Sequence, residues 1–192
     1  DRGGLSEGVT LAADALRARV QAVRARAIHG LAVLPLADGE AARGSKLVGV
    51  ALAARDGTAA YVPIAHEAGP NFTADEVRAL LAPVLADPLC EKVGHDLKRD
   101  RHLLAAAGLP FGGGAFDLHL GSFLCDPARD HSLAALAADV LGVTLDPLEA
   151  APQRGRPRAG AAAMPVEVVA EAAACGLPDP AQAARASRPT AP

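Results

Sequence analysis

The alternation of apolar and polar positions divides the chain into helical and extended stretches. From Thr10, LAADALRARVQAVRARA puts Leu11, Leu16, Val20 and Val23 on one helical face, with arginines elsewhere. The pattern then tightens into GLAVLPLADG at Gly30–Gly39, a short apolar run that predicts a buried strand. Pro35 works against that strand, because proline has no N–H to give to a ladder. Lys46–Ala65 predicts a hairpin, with two β-rich runs flanking the Asp56-Gly57 turn signal.

The second half returns to helical spacing. Thr73 followed by Glu76 forms a capping-box signature. Val77, Leu80, Leu81, Val84 and Leu85 then recur at helical intervals, with Pro83 inside the pattern as a kink or early stop. CEKVGHD reads as a short strand entering the helix LKRDRHLLAAAG, which Gly108 closes. GGGAFD is a turn and brief strand. LHLGSFLC and HSLAALAADVLG are helical, and so is VEVVAEAAACG at Val166–Gly176. The expected organisation is a lead-in over 1–9, one domain over 10–188 with a flexible Pro/Arg/Gly/Ala loop over 146–163, and a tail over 189–192. Helices alternating with strands in this order predict an α/β layer protein with a small mixed sheet.

Composition narrows the function. Hydrophobic residues make up 51% of 192 residues, enough for one packed core. Aromatics are only 3%, so Leu, Val and Ala carry that core, with Tyr61, Phe72, Phe111, Phe116 and Phe123 as its large rings. A net charge of −3 argues against a free-standing nucleic-acid binder. Cys90, Cys125 and Cys175 are isolated, show no CxxC spacing and are odd in number, which argues against a disulfide framework or a structural zinc site and suits a reducing cytoplasm. Cys90 and Cys125 read as small core residues. No apolar run is long enough to cross a bilayer. A chain that starts at Asp1 rather than Met reads as an excerpt of something longer.

Local clusters offer little chemistry of their own. Asp96, Asp100 and His102 share a helix, and Asp96 reads as its N-cap. Asp117 with His119, and Asp130 with His131, read as turn or cap features. His66-Glu67 closes a strand with nothing to pair it to. Lys98, Arg99 and Arg101 form one basic cluster and Arg154, Arg156 and Arg158 another. Either could meet phosphates, although no aromatics interleave to stack single-stranded bases.

Taken together, LVGVALAARDGTAAYVPIAH, LLAPVLADPLCEKVGHDLKRDRHLLAAAGL, AFDLHLGSFL and HSLAALAADVLG resemble the 3′–5′ exonuclease (proofreading) domain of bacterial DNA polymerase I, family A. The four segments occur in the family's order, and KVGHDLKRDRHLL is the most specific of them. The resemblance implies a ribonuclease-H-like (DnaQ-like exonuclease) fold, a mixed five-stranded sheet flanked by helices. It also implies a polymerase domain in the same parent chain as partner. That parent would be a DNA-directed DNA polymerase of the bacterial cytoplasm, and this domain would meet DNA through it.

The resemblance also assigns site positions. The family's Asp-x-Glu, counted back without gaps from Leu47-Val48-Gly49, falls on Leu34 and Leu36. The Asp that follows its KxG-x-N-LK stretch is Asp100, and the Asn of that stretch is Asp96. Its Tyr-x-x-x-Asp falls on Cys175 and Asp179. Two-metal hydrolysis needs two Mg²⁺ or Mn²⁺ in oxygen cages. Residues i and i+2 of a strand face one way, so Asp-x-Glu aims two carboxylates at one spot. Leu34 and Leu36 supply no lone pairs there. Cys175 is too short and too weak a donor to replace the tyrosine hydroxyl. The expectation is an inactive domain with no metal cofactor, whose leucines join the core at roughly 1.5–3 kcal/mol each. Two alternatives stand beside it. One is a residual nuclease in which Asp38, Glu40 or Asp96 replaces a lost ligand. The other is a single-stranded nucleic-acid-binding module.

Overall fold

The computed structural model describes residues 4–27, 30–39, 44–55, 58–67, 71–113, 115–142 and 144. Within them run α1 (Gly4–Arg26), β1 (Leu31–Ala37), β2 (Leu47–Ala54), β3 (Ala59–Pro63), α2 (Ala74–Leu85), β4 (Lys92–Gly94), α3 (Leu97–Ala106), β5 (Ala115–Asp117), α4 (Leu118–Cys125) and α5 (Leu133–Leu136). A π-helical stretch, Ala137–Leu141, extends α5. The turn Asp56-Gly57, the loop 146–163, the helix expected at Val166–Gly176 and the side chains of Leu11 and Leu16 lie outside the described residues.

Five strands form one sheet in the order β3-β2-β1-β4-β5. The first three are an antiparallel meander, while β4 and β5 join in parallel. The sheet is therefore mixed and five-stranded, as the resemblance implied.

Every residue of β2 and β3 is buried. That suits near-continuous apolar runs covered on both faces. α1 packs on β2, β3 and α2. Val20 and Val23 of α1, Leu31 and Val33 of β1, Leu52, Val62, and Leu81 and Leu85 of α2 meet in one cluster. α2 opens with the expected capping box, since the Thr73 hydroxyl accepts from Glu76 N–H and the Glu76 carboxylate from Thr73 N–H. Pro83 sits inside α2, which runs on to Leu85.

Pro35 does not break β1, and the ladder shows why. Leu31 N–H donates to Glu91 O, 2.8 Å away on the β4 side. N–H groups alternate sides along a strand, so Pro35 would direct its missing N–H the same way. The β1–β4 register ends at Ala32 with Val93, so no ladder partner is lost there. On its other side Pro35 still faces Val50 of β2.

Several expectations need correction. α1 begins at Gly4 rather than Thr10, so residues 4–9 join the helix instead of a lead-in. Phe116 and Phe123 are about half-exposed rather than core, and Cys125 is exposed. β5 is the sheet edge and α4 has no buried residue, so apolar side chains there find no interior to enter. His66 has a partner after all, because its Nε2 lies 2.6 Å from the Tyr61 hydroxyl in the core. Gly49 leaves the space this Tyr61 hydroxyl fills, where a Cβ would collide with it. Burial holds the Tyr61 hydroxyl well above its usual ionisation range.

Candidate active site

The parallel strand β4 ends at Gly94 and delivers His95 and Asp96 to the start of α3. A Cβ at Gly94 would strike the Leu97 side chain and the Val33 carbonyl, so the glycine lets the first turn of α3 lie against the sheet. Asp96 takes a left-handed conformation, φ 62°, and its carboxylate accepts from Arg99 N–H. Asp117 holds this junction from β5. It accepts from Asp96 N–H and Leu97 N–H at 3.2 and 2.8 Å, and from His119 N–H and Leu120 N–H of α4 at 2.9 and 3.2 Å. Burial alone would raise the Asp117 pKa. The four N–H bonds outweigh it and hold the carboxyl below its usual range.

A cleft of about 610 Å³ opens beyond the carboxyl end of β4, the usual place for ligands in open α/β sheets. Leu34 from β1 and Asp100 from α3 line the same cleft. Leu34 and Leu36 share the β1 face opposite Leu31 and Val33, but Leu36 does not line the cleft. Both leucines are half-buried, so the full core burial expected of them is not reached.

Asp100 is 1% exposed, and its Oδ2 has no hydrogen-bond partner. Burial pushes its pKa up to about 7. Arg99, 3.9 Å away, pulls it down, while Asp96 and Asp117 add to the rise. The rise reflects the cost of keeping a charge on an enclosed carboxylate whose Oδ2 has no partner among the described residues.

Among the described residues, no group of three or more His, Cys, Asp or Glu side chains is placed to hold a metal ion. Asp38 is exposed and is not one of the cleft residues. Glu40, Cys175, Asp179, Arg154, Arg156 and Arg158 lie outside the described residues. Among the described residues, the carboxyls of the cleft are Asp96, Asp100 and Asp130, and they are not gathered into the donor set that two cations need.

The basic cluster of α3 splits. Arg99 turns to the cleft and donates to Gly39 O at 3.1 Å. Lys98 and Arg101 are exposed and absent from the cleft, and the Arg101 guanidinium lies 5.6 Å from the Phe111 ring centre.

Sequence reasoning missed the most conspicuous feature of the cleft. His95, His119 and His131, from three separate segments, stack edge to face at 5.3 and 5.6 Å, and Phe123 adds a fourth ring against His131. His119 and His131 were read as local pairs with Asp117 and Asp130, and His95 was given no role. Only the fold brings the three rings together. His95 Nε2 lies 2.6 Å from the His131 carbonyl, and Ser122 Oγ lies 2.9 Å from His131 Nδ1. Arg129, also missed, joins Asp139 across 2.8 Å.

A family model described as 3′-5′ exonuclease, of the DNA polymerase A type, matches residues 38–167. The chain belongs to this 3′–5′ exonuclease family. Of the five assigned site positions, only Asp100 falls inside the matched residues. DNA polymerase I of Pseudomonas aeruginosa is 38% identical over 107 residues, covering 53% of this chain and 12% of that protein. DNA polymerase I of Chloroflexus aurantiacus is 33% identical over 132 residues, covering 68% and 14%. The chain thus spans about one-eighth to one-seventh of these relatives' length.

Solved structures share the fold. The catalytic core of RRP6 from Trypanosoma brucei superposes with a TM-score of 0.57 at 22% identity, covering 88% of this chain and 44% of that one. Escherichia coli RNase D, an exoribonuclease, gives 0.51 at 20% identity, covering 69% and 32%. The fold of this exonuclease-family domain is ribonuclease-H-like.

Proposed function

We propose that this exonuclease-family domain does not cut DNA and serves as a structural domain of a DNA polymerase I engaged in replication and repair. The observation that carries the proposal is Leu34 facing the same cleft as Asp100. The family resemblance puts a metal-binding carboxylate at Leu34, and an isobutyl group has no oxygen to offer a hard cation. Two divalent cations bring a charge of +4. Among the positions where the resemblance puts an acid, Asp100 is the one that keeps it within the described residues, and it brings at most one negative charge. No cofactor is then required.

The natural partner is the polymerase domain of the same parent chain, since both quoted relatives are DNA polymerase I. The half-exposed Phe116 and Phe123 leave apolar surface for such a contact. DNA would be met through that parent, in the bacterial cytoplasm. Of the carboxylates the residual-nuclease reading called on, Asp38 is not among the cleft residues, Asp96 is, and Glu40 lies outside the described residues.

The test is hydrolysis of 3′-labelled single-stranded DNA by the 192-residue chain with Mg²⁺ or Mn²⁺, Asp100→Ala being the control. No release of nucleotide above that control is expected. Metal-dependent release that Asp100→Ala abolishes would refute the proposal.

A further inference from the structure

We infer that the outer face of α4 and the edge strand β5 docks a basic amphipathic helix, carried by the polymerase part of the parent chain. The inference rests on the structural-domain reading above and names the chemistry of the surface that meets this face.

A helix that is apolar on most sides is normally covered. α4 reads LHLGSFLC, yet none of its residues is buried. Around this helix Phe123, Leu120, Leu124 and Gly121 follow one another, so the four positions form one arc. Phe116 of β5 extends the arc, because its ring lies beside Gly121, 3.0 Å from where a Cβ would stand. Phe116, Leu120, Phe123 and Leu124 are all exposed. Large apolar side chains joined in this way on a surface mark a place where another protein surface docks.

Charge selects the partner. Residues 115–142 contain Asp117, Asp126, Asp130 and Asp139, and Arg129 as their one arginine or lysine. Their net charge of −3 equals that of the whole 192-residue chain, so the other residues taken together are balanced. Asp139 engages Arg129 at 2.8 Å, and among the described residues no lysine or arginine bridges Asp126 or Asp130. Asp126 directly follows α4, and Asp130 adjoins His131, whose ring meets Phe123. The Ser132 N–H holds the Asp130 carboxyl below its usual range, so it keeps its charge. An apolar arc with an acidic margin fits aliphatic side chains bordered by lysine or arginine. The same margin repels DNA, an anionic membrane surface and a second copy of itself.

Shape selects a helix. Leu120 and Leu124 stand one turn apart and form a ridge, which seats between the side chains of a crossing helix. β5 is only three residues long, too short to take on an added strand. The chain spans about one-eighth to one-seventh of the DNA polymerase I relatives, so a parent of that size has ample chain to supply the helix.

Fluorescence anisotropy on the 192-residue chain tests this. The probe is a labelled synthetic peptide of leucine and lysine at helical spacing, and its counterpart carries glutamate in place of lysine. Saturable binding of the lysine peptide is expected with a Kd on the order of 10 μM. Added NaCl is expected to weaken it several-fold, and the glutamate peptide is expected not to bind. Leu120→Ser combined with Leu124→Ser is expected to weaken binding about tenfold or more. Asp126→Asn combined with Asp130→Asn leaves the arc intact, and is expected to weaken binding several-fold and to flatten its salt dependence. Melting temperature shows whether each variant keeps the fold.

The inference is overturned by a lysine peptide that does not saturate, by equal binding of the glutamate peptide, or by undiminished binding in either folded double variant. Self-association of the chain that the leucine variant abolishes would give the face to a second copy and overturn it too. Release of nucleotide from DNA, by contrast, would sink the non-catalytic reading while leaving the peptide titration to decide this one.

Discussion

The two ends of the sheet are built on different principles. At one end, β2 and β3 are buried at every position and covered by α1, which also packs on α2. At the other end, β5 and α4 leave Phe116, Leu120, Phe123 and Leu124 between 47 and 75% exposed, and polar atoms lack partners nearby. The first end spends its residues on close packing, with its Tyr61–His66 pair enclosed. The second keeps titratable side chains, a cleft and bare apolar surface. The core of this exonuclease-family fold thus gathers at one end, and the candidate site lies at the other.

Substitutions can break or sharpen this contrast. Leu52→Ala, at a fully buried β2 position, removes packing that cannot close up, and a loss of about 2–5 kcal/mol is expected in urea unfolding.

Asp100→Asn comes next, and its sign is opposite. The folded-state pKa of about 7 exceeds the free value of 3.8, so the folded chain keeps a proton that the unfolded chain gives up. Stability from this group is complete below pH 3.8, declines up to about pH 7 and is flat beyond. The full difference corresponds to about 4 kcal/mol at roughly 1.4 kcal/mol per pH unit. The asparagine variant is expected to gain about 2–4 kcal/mol at pH 8 and almost nothing at pH 4, read as melting temperature against pH. A variant that tracks the parent at every pH would show that Asp100 is not held in its neutral form.

Thr73→Ala dissolves the capping box of α2 at the packed end and is expected to cost about 1 kcal/mol. Leu124→Ser, at 75% exposure on α4, is expected to change the stability of the 192-residue chain by less than about 0.5 kcal/mol. A large loss there would mean that α4 is packed by something, and the contrast between the ends would shrink.

What the sequence revealed follows the same division. The hairpin, the capping box at Thr73 and Glu76 and the N-cap at Asp96 were readable because each depends on neighbours a few residues away. Pro35 misled because only the length of the β4 ladder shows that no bond is lost. Phe116 and Phe123 looked like core because hydrophobicity gives a tendency, while exposure depends on which elements lie over the edge. The histidine stack was hidden altogether, since its rings are 12 to 36 residues apart along the chain. At the candidate site, Leu34 and Asp100 were each placed by resemblance, but only tertiary structure could put them against one cleft.

Asp117 gives this arrangement a mechanical consequence. One carboxylate fastens the first turns of both α3 and α4. The two helices are thus geared together at their tips. A side chain without this carboxylate would release both helix starts at once, the turn that carries Arg99 and Asp100 among them.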